Sequence, residues 1–147
     1  MSEDSLTENE KSYYKTLLAN NAEKFEPSNG TKTEYQKYLG AFVDTPLGKV
    51  RMGANQYDKF VNKKRTDLFI ATRKTLESPV LIFTAENNSK VYVKSFVTDV
   101  GKQKNIISVT IVKGDDLIAI TTHEERLNQI LNKMKKTGIL YEKAPGL

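Results

Sequence analysis

At Pro79 the spacing of apolar residues changes, and the change limits the folds open to the chain. Upstream, Tyr57, Phe60, Val61, Leu68, Phe69, Thr72 and Leu76 fall near one face of a long helical stretch over 55–76. Downstream the period drops to two. Residues 80–84 read as a strand and Glu86-Asn87-Asn88-Ser89 as a turn. Residues 90–97 alternate Val91, Val93, Ser95 and Val97 against Tyr92, Lys94 and Phe96. A polar loop over 99–104 leads to NIISVTIVKGDDLIAITTHE, residues 105–124, which reads as two strands about the turn Lys113-Gly114-Asp115-Asp116. Gly114 is free to take the positive φ such a turn needs. Four consecutive strands with short connections predict an antiparallel meander.

The flanks of this meander read as helices and turns. Thr7-Glu8-Asn9-Glu10 is a capping box after an irregular start over 1–6, and it predicts a helix to about residue 24. Residues 26–33 have the composition of a turn or linker. Residues 38–42 and 49–52 read as a hairpin about the turn 44–48. The long helical stretch carries a break near Lys64-Arg65-Thr66-Asp67, where Thr66 or Asp67 suits a second N-cap. After Glu124 a helix to about residue 137 places Leu127, Ile130, Leu131 and Met134 on one core-facing stripe, with Gly138 at its end and a last edge strand over 139–141. The expected class is α+β: N-terminal helices, a four-stranded antiparallel β-meander and a closing helix. Residues 1–34 read as a helical extension and linker, and 35–147 as the main domain.

Composition removes several functions. The 147 residues suit one domain with a real core. No cysteine is present, so disulfides, thiol catalysis and cysteine-ligated zinc are excluded. The single histidine excludes a multi-histidine metal site within one chain; carboxylate-only sites remain open, but no D-x-D-x-D-G loop or similar cluster is present. No metal or other cofactor is expected. No apolar run approaches the roughly 18 residues needed to cross a bilayer, and no secretory leader is visible. Residues 1–34 carry seven acidic and four basic side chains, while 35–147 carry eleven acidic and nineteen basic, so the second region has a balance of +8. That excess favours a polyanionic partner, because each neutralised phosphate releases counterions. The densest part is 59–74, with Lys59, Lys63, Lys64, Arg65, Arg73 and Lys74 against Asp67. A phosphate-facing surface and a solvated outer face are both compatible with these residues.

The order of elements, with Thr45-Pro-Leu-Gly-Lys-Val50, the basic Lys63-Lys-Arg65, Thr75-Leu-Glu-Ser-Pro79, Tyr92-Val-Lys94 and a last strand ending Ile120-Thr-Thr-His123, resembles the phage and prophage-associated members of the barnase–EndoU–colicin–RelE-like nuclease superfamily. The resemblance covers about residues 43–142. It implies helices before a four-stranded antiparallel sheet, a site on the exposed face of that sheet, and metal-independent endoribonuclease activity of the toxin or effector kind. It also implies a protein that is cytoplasmic or delivered with a phage particle. Some members use two histidines, or a glutamate with a histidine. This chain has one histidine, which leaves RelE-like chemistry run by cations and hydroxyls as the nearest analogue.

Metal-free RNA cleavage needs a base for the 2′-OH proton, cations for the phosphorane and an acid for the leaving 5′-oxygen. His123 is the side chain whose ordinary pKa lies near neutrality, so it is the candidate acid or base. Lys94, Arg65, Arg73 and Lys74 are candidates to hold the phosphate, with Lys63 and Lys64 along the nucleic-acid path. Thr121 and Thr122 can donate to non-bridging oxygens, and Tyr92 or Tyr57 can stack a base. Lys94 shares a face with two aromatics, so it sits at a sheet edge or points into a cleft. Two readings follow. One is an endoribonuclease of this superfamily, for which an inhibitor partner is plausible. The other is a non-catalytic module on the same fold that binds nucleic acid or a virion protein. A plainer view of 119–123 is a strand that turns polar on leaving the core, with His123 starting the next helix.

Overall fold

The computed structural model describes residues 5–52, 55–85, 88–98, 104–113, 118–124 and 127–143; at 55, 98, 104–111, 113, 118–124 and 127 only the backbone is described. Helix α1 spans Glu8–Asn20, and the Thr7/Glu10 capping box forms as the sequence predicts. The helix stops short of residue 24 because Asn21 turns its side-chain amide back onto the Leu17 carbonyl at 2.9 Å. A two-residue strand, β1 (Glu23–Lys24), follows. Helix α2 occupies Lys32–Tyr38, where the sequence reading had a linker and the beginning of a strand. Its physical cause is another cap: the Thr31 hydroxyl accepts from Glu34 N at 3.1 Å. Gly40, at φ +50°, lies just beyond the end of this helix. The hairpin is therefore shifted, with β2 at Phe42–Thr45 and β3 at Gly48–Arg51.

The long helical stretch divides where its polar run predicts. Helix α3 covers Asn55–Asn62, a 3-10 turn Thr66–Leu68, and α4 Phe69–Glu77. Ser28 fixes the start of α4 by donating to the Thr66 carbonyl and accepting from Phe69 N at 3.2 Å. Strands β4 (Leu81–Thr84), β5 (Lys90–Thr98), β6 (Lys104–Lys113) and β7 (Ile118–Glu124) pair in succession, each antiparallel to the one before. The turns at Glu86-Asn87 and Gly114–Asp116 lie outside the described residues. Helix α5 is Leu127–Lys133, shorter than predicted, because β7 runs on through Glu124. A 3-10 turn at Lys136–Gly138 and β8 (Ile139–Glu142) complete the described chain.

The sheet is larger than four strands and is mixed. Among the described residues it has eight strands in the order β2-β3-β7-β6-β5-β4-β8, with β1 beside β5. Strand β3 meets β7 in parallel at Arg51↔Ile118, and β1 meets β5 in parallel at Glu23↔Phe96 and Lys24↔Val97. Strand β4 pairs with the first half of β5 as far as Val93, and β1 takes up the same edge further along, where Phe25 N donates to the Val97 carbonyl at 2.9 Å.

Helices cover both faces of β4 and β5, so the class is mixed α and β in three layers. Alternate residues Leu81, Phe83, Val91 and Val93 pack with Tyr14, Leu17 and Leu18 of α1 and Ile130 and Leu131 of α5. The intervening Ile82 and Tyr92, with Val112, pack with Tyr35, Phe60, Phe69 and Leu76 of α2, α3 and α4. Phe69 anchors that second cluster, edge-on to Phe60 at 5.1 Å and to Tyr35 at 5.4 Å between ring centroids. Truncating such a fully buried ring to Ala costs about 3–5 kcal/mol. The segment set apart by composition as 1–34 contributes α1, β1 and the first turn of α2 to these layers. Leu6 is also buried, and Ser95 Oγ donates to the Leu18 carbonyl.

Candidate nucleic-acid site

Strand register decides which of the sequence-selected residues share a face. Val93, Val109 and His123 form one row across β5, β6 and β7. Tyr92, Thr110 and Thr122 form the next, and Val91, Ile111 and Thr121 the one beyond it. Rows alternate between the two faces of a pleated sheet. Thr122 therefore belongs with Tyr92 to the side covered by α2–α4, and Thr121 and His123 belong with Val91 and Val93 to the side covered by α1 and α5. Lys94 shares its row with Ser108 and Glu124, so His123 and Lys94 occupy adjacent rows and are not brought onto one face. The side chains of Thr121, Thr122 and His123 lie outside the described residues.

Because β3 pairs with β7 at Arg51↔Ile118, the outer edge of β7 from Ala119 onward has no strand partner among the described residues. Helix α3 lies against β7. Its C-terminus is the basic Lys63-Lys64-Arg65 turn, closed by two backbone bonds: Arg65 N to the Phe60 carbonyl at 2.8 Å and Lys64 N to the Val61 carbonyl at 3.1 Å. This is a Schellman ending with Lys64, at φ +55°, in the position that glycine usually fills. Lys63 and Lys64 are exposed and Arg65 is half-buried.

Arg73, Lys74 and Lys94 are bonded within the fold. Arg73 donates through Nε to Glu77 at 2.7 Å and through Nη1 to the Tyr38 carbonyl at 2.8 Å, tying α4 to α2. Lys74 reaches Glu26 at 3.4 Å. Lys94 neither snorkels nor opens into a cleft. It is 1% exposed, with its ammonium 2.7 Å from Glu23 Oε2 and 2.6 Å from the Ser78 carbonyl. Burial pushes the Glu23 carboxyl up, but the hydrogen bond and charge of Lys94, with Lys74 and Lys143 behind, outweigh it and hold the group below its ordinary value. Tyr92 is fully buried, its hydroxyl 3.1 Å from Thr45 Oγ1, and burial raises its pKa against that hydrogen bond. Neither Lys94 nor Tyr92 presents its polar end to a ligand from these positions. Tyr57 is half-buried beside Tyr35 and Phe69.

Phe42 escaped the sequence reading. It is 58% exposed on β2, while its neighbour Val43 is buried. The pattern Phe42-Val43-Asp44 against Lys49-Val50-Arg51, with one valine inward on each strand, was the available signal. No family model, curated protein or solved structure matches this chain. Among the described residues, no helix is long and apolar enough to cross a membrane.

Proposed function

We propose that the chain is a metal-independent endoribonuclease that cuts single-stranded RNA by attack of the 2′-OH, working along the outer edge of β7. The observation that carries this reading is the placement of α3. The helix that ends in Lys63-Lys64-Arg65 lies against the strand that carries Thr121, Thr122 and the protein's histidine. At its C-terminus Lys64 occupies a left-handed position, where glycine would be less strained, and presents an exposed cation there. The resemblance to the barnase–EndoU–colicin–RelE-like superfamily supports the same assignment, with action in a cytoplasm or on delivery with a phage particle.

In this reading the three cations of the turn neutralise the phosphate and its developing charge. His123 takes the 2′-OH proton or gives one to the leaving 5′-oxygen. An RNA strand lying along a sheet edge meets rows from both faces, so Thr122 and the pair Thr121 and His123 are both within its path. Lys94 has a structural role here, holding β1 to β5. The products are a 2′,3′-cyclic phosphate and a free 5′-OH. Incubation with single-stranded RNA in EDTA tests the reading: cyclic-phosphate ends should appear, and His123→Ala should slow cleavage by at least about two orders of magnitude. Unchanged turnover in that variant refutes it.

A second reading is a binding module without turnover, for nucleic acid or a virion protein. It is favoured by one observation, that Lys94 and Tyr92 are buried and bonded within the fold. Intact RNA that shifts in a gel at low salt, and is released steeply by added salt, would support it.

A further inference from the structure

Asn29-Gly30 is the one Asn-Gly step in the sequence, and every other asparagine precedes a residue with a side chain. The main-chain nitrogen after an asparagine can attack the side-chain amide carbon. A side chain on the following residue hinders that approach, and glycine has none. Asn29 is exposed, and Gly30 sits at φ +80°. The Asn29 amide oxygen accepts two hydrogen bonds from Thr31, from N at 3.1 Å and from Oγ1 at 2.9 Å. Two donors on that oxygen draw charge from Cγ and stabilise the charge the oxygen gains under attack, as donors do around other acyl centres.

The residues around this step tie three helices together. Ser28 donates to the Thr66 carbonyl and accepts from Phe69 N at 3.2 Å, at the start of α4. Tyr57 of α3 donates to the Gly30 carbonyl at 3.4 Å. Glu34 of α2 accepts from Asn29 N at 2.9 Å. The junction has no slack, because a Cβ on Gly30 would lie 2.8 Å from Thr66 Oγ1.

We propose that Asn29 is a site of spontaneous deamidation that the fold leaves reactive, and that its isoaspartyl product loosens this three-helix junction. Gly30 N loses its proton and bonds to Asn29 Cγ. The Cγ–Nδ2 bond breaks, and Nδ2 leaves as ammonia with that proton. The cyclic imide then takes up a water. Opening at Cγ leaves an aspartate in the ordinary chain, with an oxygen still available to Thr31. Opening at the Asn29 main-chain carbonyl carries the chain through Cβ and Cγ instead. That longer link must fit between Ser28 and Gly30, both held against Thr66. The modification is independent of any action on RNA.

The full chain is kept in mildly alkaline buffer at physiological temperature, sampled over days and mapped by peptide mass spectrometry. The peptide holding residue 29 should show the mass gain of an amide-to-acid exchange, with an isoaspartyl fraction, ahead of the peptide holding Asn87-Asn88-Ser89. Asn29→Gln, whose longer side chain closes a larger ring, should stay unmodified there. A parallel sample unfolded in urea sets the reference rate. Protection of the folded chain by about tenfold or more overturns the proposal, as does earlier modification at residues 87–88. Ion exchange then separates the isoaspartyl chains. Their urea midpoint should fall below that of the unmodified protein, while Asn29→Asp stays close to it. An isoaspartyl fraction as stable as the unmodified protein, or an equal fall in Asn29→Asp, refutes the loosening of the junction.

Discussion

Replacing Glu23 by Ala should destabilise the protein by about 2 kcal/mol, and the figure follows from how Lys94 is held. Its ammonium is almost completely removed from water and has two oxygens within 2.7 Å, one of them the Glu23 carboxylate. Removing one partner of a fully buried pair costs about 3–5 kcal/mol, because the remaining charge stays desolvated. Glu23 itself keeps 46% of its side chain exposed, so water screens the pair and the lower figure applies. For a chain of this length that is a fall in Tm of about 4–8 °C. Lys94→Met should cost less than about 1 kcal/mol. The methionine keeps the volume, Glu23 can turn to water, and the carbonyl released belongs to the exposed Ser78. Urea unfolding followed by circular dichroism measures both variants. The pH dependence has a definite sign. The Glu23 carboxyl titrates below its ordinary value in the folded state, so its contribution is present above the unfolded value of about 4.3 and is lost as pH falls through the folded one. The gap between wild type and Glu23→Ala should therefore be full at neutral pH and close in acid. A Glu23→Ala variant as stable as wild type, or a Lys94→Met variant less stable than Glu23→Ala, would refute the reasoning.

Lys64→Gly should raise stability by about 1 kcal/mol, since glycine adopts the left-handed Schellman position without the strain a side chain meets there, and the same change should weaken RNA binding by removing a cation. Equilibrium unfolding and a salt titration of binding read the two effects, and a loss of stability would contradict the cap. Tyr35→Phe should be neutral or stabilising by up to about 1 kcal/mol, because the buried Tyr35 hydroxyl has no hydrogen-bond partner among the described residues. Burial has pushed that phenol up to about 12, so spectrophotometric titration should show one fewer late-titrating tyrosine in the variant.

The parts of the fold legible in the sequence are those with a local cause. Val91, Tyr92 and Val93 alternate because each strand face meets its own helical layer, and Thr7 and Glu10 close a cap within one turn. The break after Asn62 follows from a polar run that no apolar stripe crosses. Thr31 and Glu34 repeat the Thr7–Glu10 spacing, which is the local signal for α2 over residues assigned from sequence to a linker and a strand. Strand β1 had no local signal. Glu23 and Lys24 are extended because β5 offers an unpaired edge there, and that edge exists only after β4 has ended. The fate of Lys94 was hidden for the same reason, since its carboxylate partner comes from that distant strand. At the candidate site, residue types were readable but convergence was not. Register places His123 and Lys94 in adjacent rows, and no periodicity argument reports register between strands separated by a turn.

The way β1 completes the edge of β5 also dictates an order of events as the chain folds. The hairpins β4–β5, β5–β6 and β6–β7 join near neighbours and close quickly, whereas β1 must find residues 96–97 and β3 must find residue 118 across long intervening segments. Contacts of that span are entropically late. During synthesis the first segments emerge with apolar Tyr14, Leu17 and Leu18 exposed and no sheet to receive them. The far half of β5 then waits with an open edge beside a lysine that has no anion, which is a surface prone to capture a second chain until the N-terminal segment docks.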